Sequence, residues 1–437
     1  MQRTANPSTN WYIRLRNWWE NPDAGVDIRR WVGYGILLVA VGAFMRTPLV
    51  ALPGVLMMAI GLLLRVWWDN AVRNLTYERT FTQTRAFHGD EVVMELIATN
   101  AKPLPLTRVD VVEQTNPLAN VRHQKLFPSA NTRNMHLQSL FSLGMYERVS
   151  QKFTIDCTHR GWQNFGPTTL TAHDPFGAAS RDLYIPHQSG VLVYPRMVPM
   201  ANFVVSARQP LGDYKPATPL VEDPMRIAGV RPYVPGDSPR RIHWRATART
   251  GEMQTRVFEP SASPVAAIFL DTLTFSHLWE GQNSDVLELS VVVAASMSRQ
   301  LIESRHQVGM YANAPVSDRS RSVRISPGRR GGQLQKILEH LAMLRPAFGD
   351  NIQTMIGQEL SRLPWGATVV VVTSHVSAEF QRSLLRMSRS GGAKRFMIVA
   401  IGETPELFPD IRKRFDVYHL SGEEAWDEIE SIQLNRL

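Results

Sequence analysis

The sequence predicts a multidomain membrane protein: two N-terminal transmembrane helices, an all-β sandwich-like domain and a C-terminal α/β domain of Rossmann type. Three observations carry this. Residues Trp31 to Trp68 are almost all apolar. From Leu75 to Tyr194 short alternating runs are broken by turn residues, the pattern of β-strands. After Pro264, apolar strand-like runs alternate with amphipathic helical ones. At 437 residues the chain exceeds one compact core. The expected divisions are 1–74 with helices at about 30–46 and 48–68, 75–195 for the β domain, 196–262 for a proline-rich linker and motif segment, and 263–437 for the α/β domain.

The hydrophobic fraction of 44% is ordinary, so the membrane signal is local. The apolar stretch comes as two runs, Gly33–Met45 and Leu49–Leu64, parted by Arg46-Thr47-Pro48, where proline stops the first helix. The first run is short of the ~20 residues a crossing needs and has to borrow from its flanks. The pairs Trp18-Trp19 and Trp67-Trp68 suit the membrane–water interfaces. A cleaved signal peptide fits poorly: the stretch starts late, a second run follows, and no small-residue cleavage site is present. A buried soluble hairpin is the alternative. Arg14, Arg16, Arg29 and Arg30 precede the pair and Arg65, Arg73 and Arg79 follow it, against Arg46 alone in the turn. By the positive-inside rule both the N-terminus and the body are expected in the cytoplasm, the chain being a multi-pass cell-membrane protein.

In the β region, Glu91–Asn100 and Gln151–Asp156 alternate, and turns are expected at Asn100–Pro105, Asn116-Pro117 and Gly161. Cys157, His159 and Asp174 suggest a thiol–imidazole–carboxylate set. Cys157 and His159 would lie on one face of a strand, but nothing nearby lowers the thiol pKa. The accompanying Gly and Pro residues, as in Phe165-Gly166-Pro167, read as turn formers, and Asp174 before Pro175 as an Asx turn. The lone cysteine also excludes a disulfide framework or a Cys-rich metal site and fits a reducing compartment.

The net charge of +9 is unevenly placed. From Arg226 to Arg256 stand seven arginines, two acids and no lysine. Pro235-Gly236-Asp237 turns the chain, and Asp237 or Ser238 is placed to cap a short helix. On that helix Arg241, Arg245 and Arg249 would share a face, as would Arg240 and Trp244. Such forks suit phosphate, lipid headgroups or an acidic protein surface. Alternatively they pair internally with Asp237, Glu252 and Glu259.

The string Arg231-x-Tyr233-x-x-Gly236-Asp237-x-x-Arg240-x-Ile242-x-Trp244-x-x-x-Ala248-Arg249 resembles the signature of the domain-of-unknown-function 58 family. So does the order around it: a membrane hairpin, His159-Arg160-Gly161 and Asp174-Pro175-Phe176-Gly177, the signature, then an α/β domain. The resemblance implies a bacterial or archaeal membrane-associated protein. It also implies a protein partner, since members often accompany MoxR-type AAA+ ATPases and von Willebrand A proteins. Arg231, Tyr233, Gly236, Asp237, Arg240, Trp244, Arg245 and Arg249 are the candidate docking residues.

In the last region, Val265–Asp271, Gln307–Tyr311, Ala367–Val372 and Arg395–Val399 read as buried strands. Asp285–Arg305, Gln333–Leu344, Asn351–Leu363 and Ala378–Ser390 read as helices. The alternation predicts a doubly wound parallel sheet with function at the strands' C-terminal ends. It is similar to a von Willebrand A domain, which holds a divalent ion through Asp-x-Ser-x-Ser, a Thr and a further Asp. Here Asp271 is followed by hydroxyls one, three and five places on (Thr272, Thr274, Ser276), and Thr373-Ser374-His375 stands where the second acid belongs. One carboxylate makes a poor site for a hard cation, so Asp271, Thr272, Thr274, Thr373 and Ser374 are expected to form a degenerate one. Asp271 as a loop-capping acid is the structural alternative. No cofactor is expected. Gly328-Arg329-Arg330-Gly331-Gly332 lacks the Lys-Ser/Thr ending of a phosphate loop and reads as a loop before a helix.

No nucleophile, base and orienting group stand together, which argues against an enzyme. With Trp244 the only aromatic between Arg240 and Arg249, nucleic acid is the less favoured partner, though anionic lipid or nucleic acid remains the alternative use of the arginines. The reading that results is a membrane-anchored adaptor working with an AAA+ ATPase in complex assembly or maturation.

Overall fold

The computed structural model describes residues 28–129, 133–175, 179–201, 222–235, 237–260, 264–275, 280–316, 322–345, 350–364, 366–390, 394–422 and 425–437. Trp18-Trp19, Arg14, Arg16, Phe176-Gly177, Ser276, Gly236 and most of the proline-rich linker lie outside the described residues. The chain forms two compact units, Met1–Tyr194 and Pro195–Leu437.

The first unit opens with α1 (Ile28–Phe44) and α2 (Pro48–Asn70). Pro48 opens α2, where its fixed φ and missing N–H are no handicap. The two helices close on each other where glycine leaves room. A Cβ on Gly35 would stand 2.7 Å from Met58 Cγ and 2.8 Å from Gly54 O, and one on Gly42 would stand 2.6 Å from Ala51 N. Leu37, Leu52, Leu56, Leu62 and Leu63 remain exposed. Among the described residues α2 is long and apolar enough to cross a membrane, and the apolar part of α1, Val32–Phe44, is shorter.

The C-terminal turns of α2 are covered by protein. Ile60, Leu64, Trp67, Trp68 and Ala71 fall on one face and join the core of the β domain. This corrects the expectation that Trp67-Trp68 sit at a membrane interface: they are only 5% and 9% exposed. An apolar helix face has the same composition whether lipid or protein covers it. Arg65 and Arg181 lie over the Trp68 ring, 5.1 and 4.1 Å from its centroid. Arg181 Nη1 also donates to the Trp68 carbonyl at 2.8 Å, satisfying one of the acceptors left at a helix end.

The β domain comprises β1 (Leu75–Phe81), β2 (Arg85–Ala86), β3 (Glu91–Asn100), β4 (Leu106–Thr115), β5 (Phe127–Pro128), β6 (Met135–Leu143), β7 (Arg148–Asp156), β8 (Gly161–His173), β9 (Ser180–Ile185) and β10 (Ser189–Val193). One sheet has the order β1-β3-β7, the other β2-β10-β8-β4-β6-β5 with β9 also on β8. Alternate residues of β3 (Val92, Met94, Leu96, Ala98) share a core with Leu106, Val109 and Val111 of β4 and with Leu137 and Phe141 of β6. Phe165-Gly166-Pro167 is not a turn, as expected above, but lies inside β8. Gly166 has φ +97°, and a Cβ there would strike His187 O and stand 3.0 Å from Arg79 Nη2. Only glycine fits.

Arg79 Nη2, beside Gly166, donates to that His187 carbonyl at 3.2 Å. Its Nη1 donates to Glu113 Oε1 at 2.7 Å, and that oxygen also accepts from Tyr77 OH at 2.6 Å and Thr168 Oγ1 at 3.2 Å. The cluster ties β1 of one sheet to β4 and β8 of the other. Arg79 therefore does not belong among the free charges flanking the helices, and Arg65 is paired with Asp69.

In the second unit, β11 (Met200–Ala201) precedes the antiparallel pair β12 (Glu222–Pro232) and β13 (Gln254–Pro260), between which lies α3 (Trp244–Thr250). Then come β14 (Val265–Leu270), α4 (Ser284–Glu303), β15 (Gln307–Ala312), β16 (Val323–Gly328), α5 (Gln333–Met343), α6 (Ile352–Leu360), β17 (Thr368–Thr373), α7 (Ala378–Ser390), β18 (Arg395–Ile401), α8 (Pro409–Arg414), β19 (Asp416–Leu420), β20 (Ile432–Gln433) and β21 (Asn435–Arg436). The sheet order is β16-β15-β14-β17-β18-β19-β21. β15, β14, β17, β18 and β19 are parallel, while β16 and β21 run antiparallel at the edges. Ala267, Phe269, Val369, Val371 and Ile398 pack on α6, α7 and α8, and α4 packs on the strands with α5 beside it. Every residue of β17 is buried, as a strand covered on both faces requires. The Gly328–Gly332 segment leaves the end of β16 and reaches α5 through Gly332 at φ +90°.

Candidate functional site

The arginine segment is built on the β12–β13 pair. Tyr233 N donates to Met253 O at 2.8 Å and His243 N to Gln254 O at 2.7 Å, while Ile242 is buried and bridges Thr255. A single 3-10 turn, Pro239–Arg241, comes first, and Ile242 and His243 then interrupt before α3 begins. This corrects the expected helix. Ser238 makes no capping bond, and His243 caps α3 by accepting from Ala246 N at 3.0 Å. Arg240 with Trp244, and Arg241 with Arg245, are therefore not one helical turn apart on a common face; only Arg245 and Arg249 share α3. Gly251 at φ +75° ends it.

The predicted residues divide into two sets. Arg231 grips Asp237 with both nitrogens, at 2.7 and 2.8 Å, and Asp237 also accepts from Val234 N at 3.1 Å. Tyr233 OH donates to Asp237 O at 3.3 Å. The Arg231 guanidinium, and after it the Val234 N–H, holds the Asp237 carboxyl below its ordinary range. These three residues brace the turn. Arg240, Arg241, Trp244, Arg245 and Arg249 are all exposed, Trp244 to 67%. Among the described residues no carboxylate pairs with Arg240, Arg245 or Arg249.

The second candidate lies at the C-terminal ends of the adjacent strands β15, β14 and β17, where open parallel sheets place their sites. Asp271, Asn313 and Thr373 meet there. Asp271 Oδ1 accepts from Asn313 Nδ2 at 2.8 Å and from Leu273 N at 3.2 Å, and Oδ2 stands 3.1 Å from Thr373 Oγ1. Thr272 N and Oγ1 donate to Asn313 Oδ1 at 2.8 and 2.9 Å, which fixes the Asn313 amide with its NH2 toward the acid. Ser374 Oγ donates to Leu273 O at 2.7 Å, whereas Thr274 Oγ1 turns away to accept from Asn283 N at 2.8 Å. An amide donor thus faces the carboxylate where a cation would, and no group of three or more His, Cys, Asp or Glu able to hold a metal occurs among the described residues. Asn313, a single residue with no motif around it, went unnoticed in the sequence.

Burial pushes the Asp271 carboxyl up, against the pull of Asn313, Leu273 and Thr373. Stability from this group is complete below the ordinary Asp pKa and is lost as pH rises through the raised one. Thr373 Oγ1 is also 3.1 Å from His375 O, and one hydroxyl proton cannot serve both acceptors. Protonated Oδ2 satisfies both contacts by donating to Thr373. Asp271→Asn is accordingly expected to match wild type at acid pH and exceed it near neutrality, because Nδ2 replaces the proton. Asp271→Ala is expected to lose about 1–3 kcal/mol by stranding Asn313 Nδ2 and Leu273 N. Chemical unfolding of both variants across pH measures this; a wild type that gains on Asp271→Asn as pH rises would contradict it.

Cys157, His159 and Asp174 do not meet. Cys157 follows the last residue of β7, and Asp174 follows the last residue of β8, at the opposite end of the sandwich; neither Cys157 nor His159 is on a strand. Burial raises the Cys157 thiol to about 11, with Asp90 and Asp156 adding to it. Asp174 Oδ1 accepts from Ala179 N, just before β9, at 2.7 Å.

Residues 229–404 match the family model described as Protein of unknown function DUF58. The match runs from β12 through α3 and the Asp271 cluster to just beyond β18. The Uncharacterized protein YeaD of Bacillus subtilis is 22% identical over 339 residues, 77% of this chain and 78% of that protein. Among solved structures, the CARDB domain of the PF1109 protein from Pyrococcus furiosus is 14% identical with a TM-score of 0.19, covering 27% of this chain and 91% of that one. The major pilin SpaD from Corynebacterium diphtheriae is 8% identical with a TM-score of 0.23, covering 30% and 38%. Likenesses so slight carry no functional argument.

Proposed function

We propose that this chain, a member of the DUF58 family, is a membrane-anchored docking protein whose arginine–tryptophan segment receives an acidic surface of a protein partner. One observation carries the reading: Arg240 in the 3-10 turn and Trp244, Arg245 and Arg249 on α3 stand exposed after a braced turn whose own acid, Asp237, is already committed to Arg231. Arg and Trp are the residues that concentrate binding energy at interfaces. On the family resemblance the partner is a MoxR-type AAA+ ATPase, and the process is assembly or maturation of a complex.

The anchor is α1 with α2, crossing twice and leaving the N-terminus and the body on the cytoplasmic side. Supporting this are the glycine seam between the helices and the leucines exposed around it, since helices in lipid pack through small residues and present apolar side chains outward. The second unit is of von Willebrand A type in this reading. Its parallel sheet and Asp271 at the end of β14 support that, and the Asn313 amide stands in for the ion.

Capture of the full chain from native membranes in mild detergent is expected to recover an AAA+ ATPase. Arg240→Ala and Trp244→Ala should each weaken capture by about 30-fold, roughly 2 kcal/mol, at unchanged melting temperature. Undiminished capture by the double variant would remove this surface from consideration.

A further inference from the structure

We propose that the end of the β domain from which α2 emerges is seated in the headgroup layer of the bilayer, with Met145 and Tyr146 as interfacial anchors. The proposal rests on α2 being a membrane-crossing helix, and it deepens that reading.

The first argument is length. The 23 residues of α2 rise about 35 Å at 1.5 Å per residue, enough to cross about 30 Å of hydrocarbon, but the part that stands clear of the β domain, Pro48 to Ala59, rises only about 18 Å. From Ile60 to Ala71 the helix is packed on the β domain, so it cannot sink further without taking the body along. The shortfall closes when the body itself comes down to the membrane.

The second argument is what that end carries. β1 begins there at Leu75, paired with Asn100 at the end of β3. Two turns between the sheets, 101–105 and 144–147, are knitted to the chain just after α2. Ala101 N donates to Asn74 O at 3.0 Å, Tyr146 N to Lys102 O at 3.2 Å, and Asn100 Nδ2 to Gly144 O at 2.7 Å. At the tip of the second turn Met145 is 62% and Tyr146 71% exposed. Tyr146 also holds φ +52°, a left-handed conformation that costs a tyrosine about 1–2 kcal/mol and that glycine or asparagine would adopt more easily. An amphipathic ring belongs at a membrane–water boundary. The neighbouring Glu147 turns its carboxylate back onto Gly144 N, and Arg73 and Arg148 are exposed nearby, where long cationic stems reach lipid phosphates. Trp162, also exposed, sits at the opposite end of the domain at the start of β8.

The test uses the full chain with Cys157→Ala, which removes the single cysteine. Tyr146→Cys, Met145→Cys, Trp162→Cys and Leu56→Cys each receive an environment-sensitive fluorophore and are reconstituted into phosphatidylcholine vesicles carrying nitroxide-labelled lipid. The expected result is blue-shifted emission at 145 and 146 that shallow nitroxides quench, deep quenching at 56, and neither effect at 162. Emission at 145 and 146 as water-like as at 162, with 56 still quenched, would overturn the seat while leaving the crossing helix intact. Loss of quenching at 56 as well would overturn both.

Discussion

Glu113→Ala is expected to cost the protein about 3–5 kcal/mol of stability, because it leaves a buried guanidinium without its counter-charge. The Arg79 and Glu113 side chains are 3% and 0% exposed. Without the carboxylate, Arg79 keeps, among the described residues, Ser189 Oγ at 2.9 Å and His187 O at 3.2 Å. Tyr77 OH loses its acceptor too, and burial together with the Glu113 charge already raises its phenol well above the ordinary value. The pair as a whole is a different matter. Glu113 Oε2 has no hydrogen-bond partner among the described residues, so much of the Coulomb gain is offset by desolvation. Replacing the cluster together, as Tyr77→Phe, Arg79→Met and Glu113→Leu, is therefore expected to restore most of what Glu113→Ala removes. Denaturant unfolding of the full chain in mild detergent compares the two; a single variant within about 1 kcal/mol of wild type would show that water reaches Arg79.

That cluster also marks the limit of what the sequence discloses. Tyr77, Arg79, Glu113 and Thr168 come from three strands on two sheets, and no local pattern links them. What was legible came from long, uniform runs. Val265–Leu270 and Val369–Val372 are apolar without a break because both faces of the sheet are covered, and Ser284–Glu303 carries apolar residues at helical spacing. β16 escaped notice because an edge strand with alternating burial can carry Arg324 and Pro327. In the arginine segment the turn at Pro235 and the presence of a helix were readable, but its start was not. Asp237 looks like a cap until Arg231, on the preceding strand, is seen to occupy it. Near Asp271 the displaced hydroxyls were visible in the sequence, whereas Asn313, which completes the cluster, lies a strand away.

The junction between α2 and the β domain leads to the other large effect. Trp68→Ala is expected to destabilise the protein by about 3–5 kcal/mol, the usual range for emptying a buried tryptophan site. The ring fills the space between α2 and the sandwich and lies beneath the Arg65 and Arg181 guanidiniums. Arg181 still reaches the backbone carbonyl at residue 68 in the variant, so the helix end keeps its bond while losing its packing. The loss should be local before it is global. The turn after α2 is held by bonds such as Arg73 N to Asn70 O at 3.2 Å and Ala101 N to Asn74 O at 3.0 Å, and Arg73 in that turn is exposed. Once α2 loosens, trypsin is expected to cut after Arg73 faster than in wild type, separating the helices from a still-folded body. Trp68→Phe, which keeps an aromatic ring under both guanidiniums, should restore most of the resistance. If Trp68→Ala were cut no faster than wild type, the helix would be a tether with little grip on the domain, and the orientation of the body at the membrane would have to come from elsewhere.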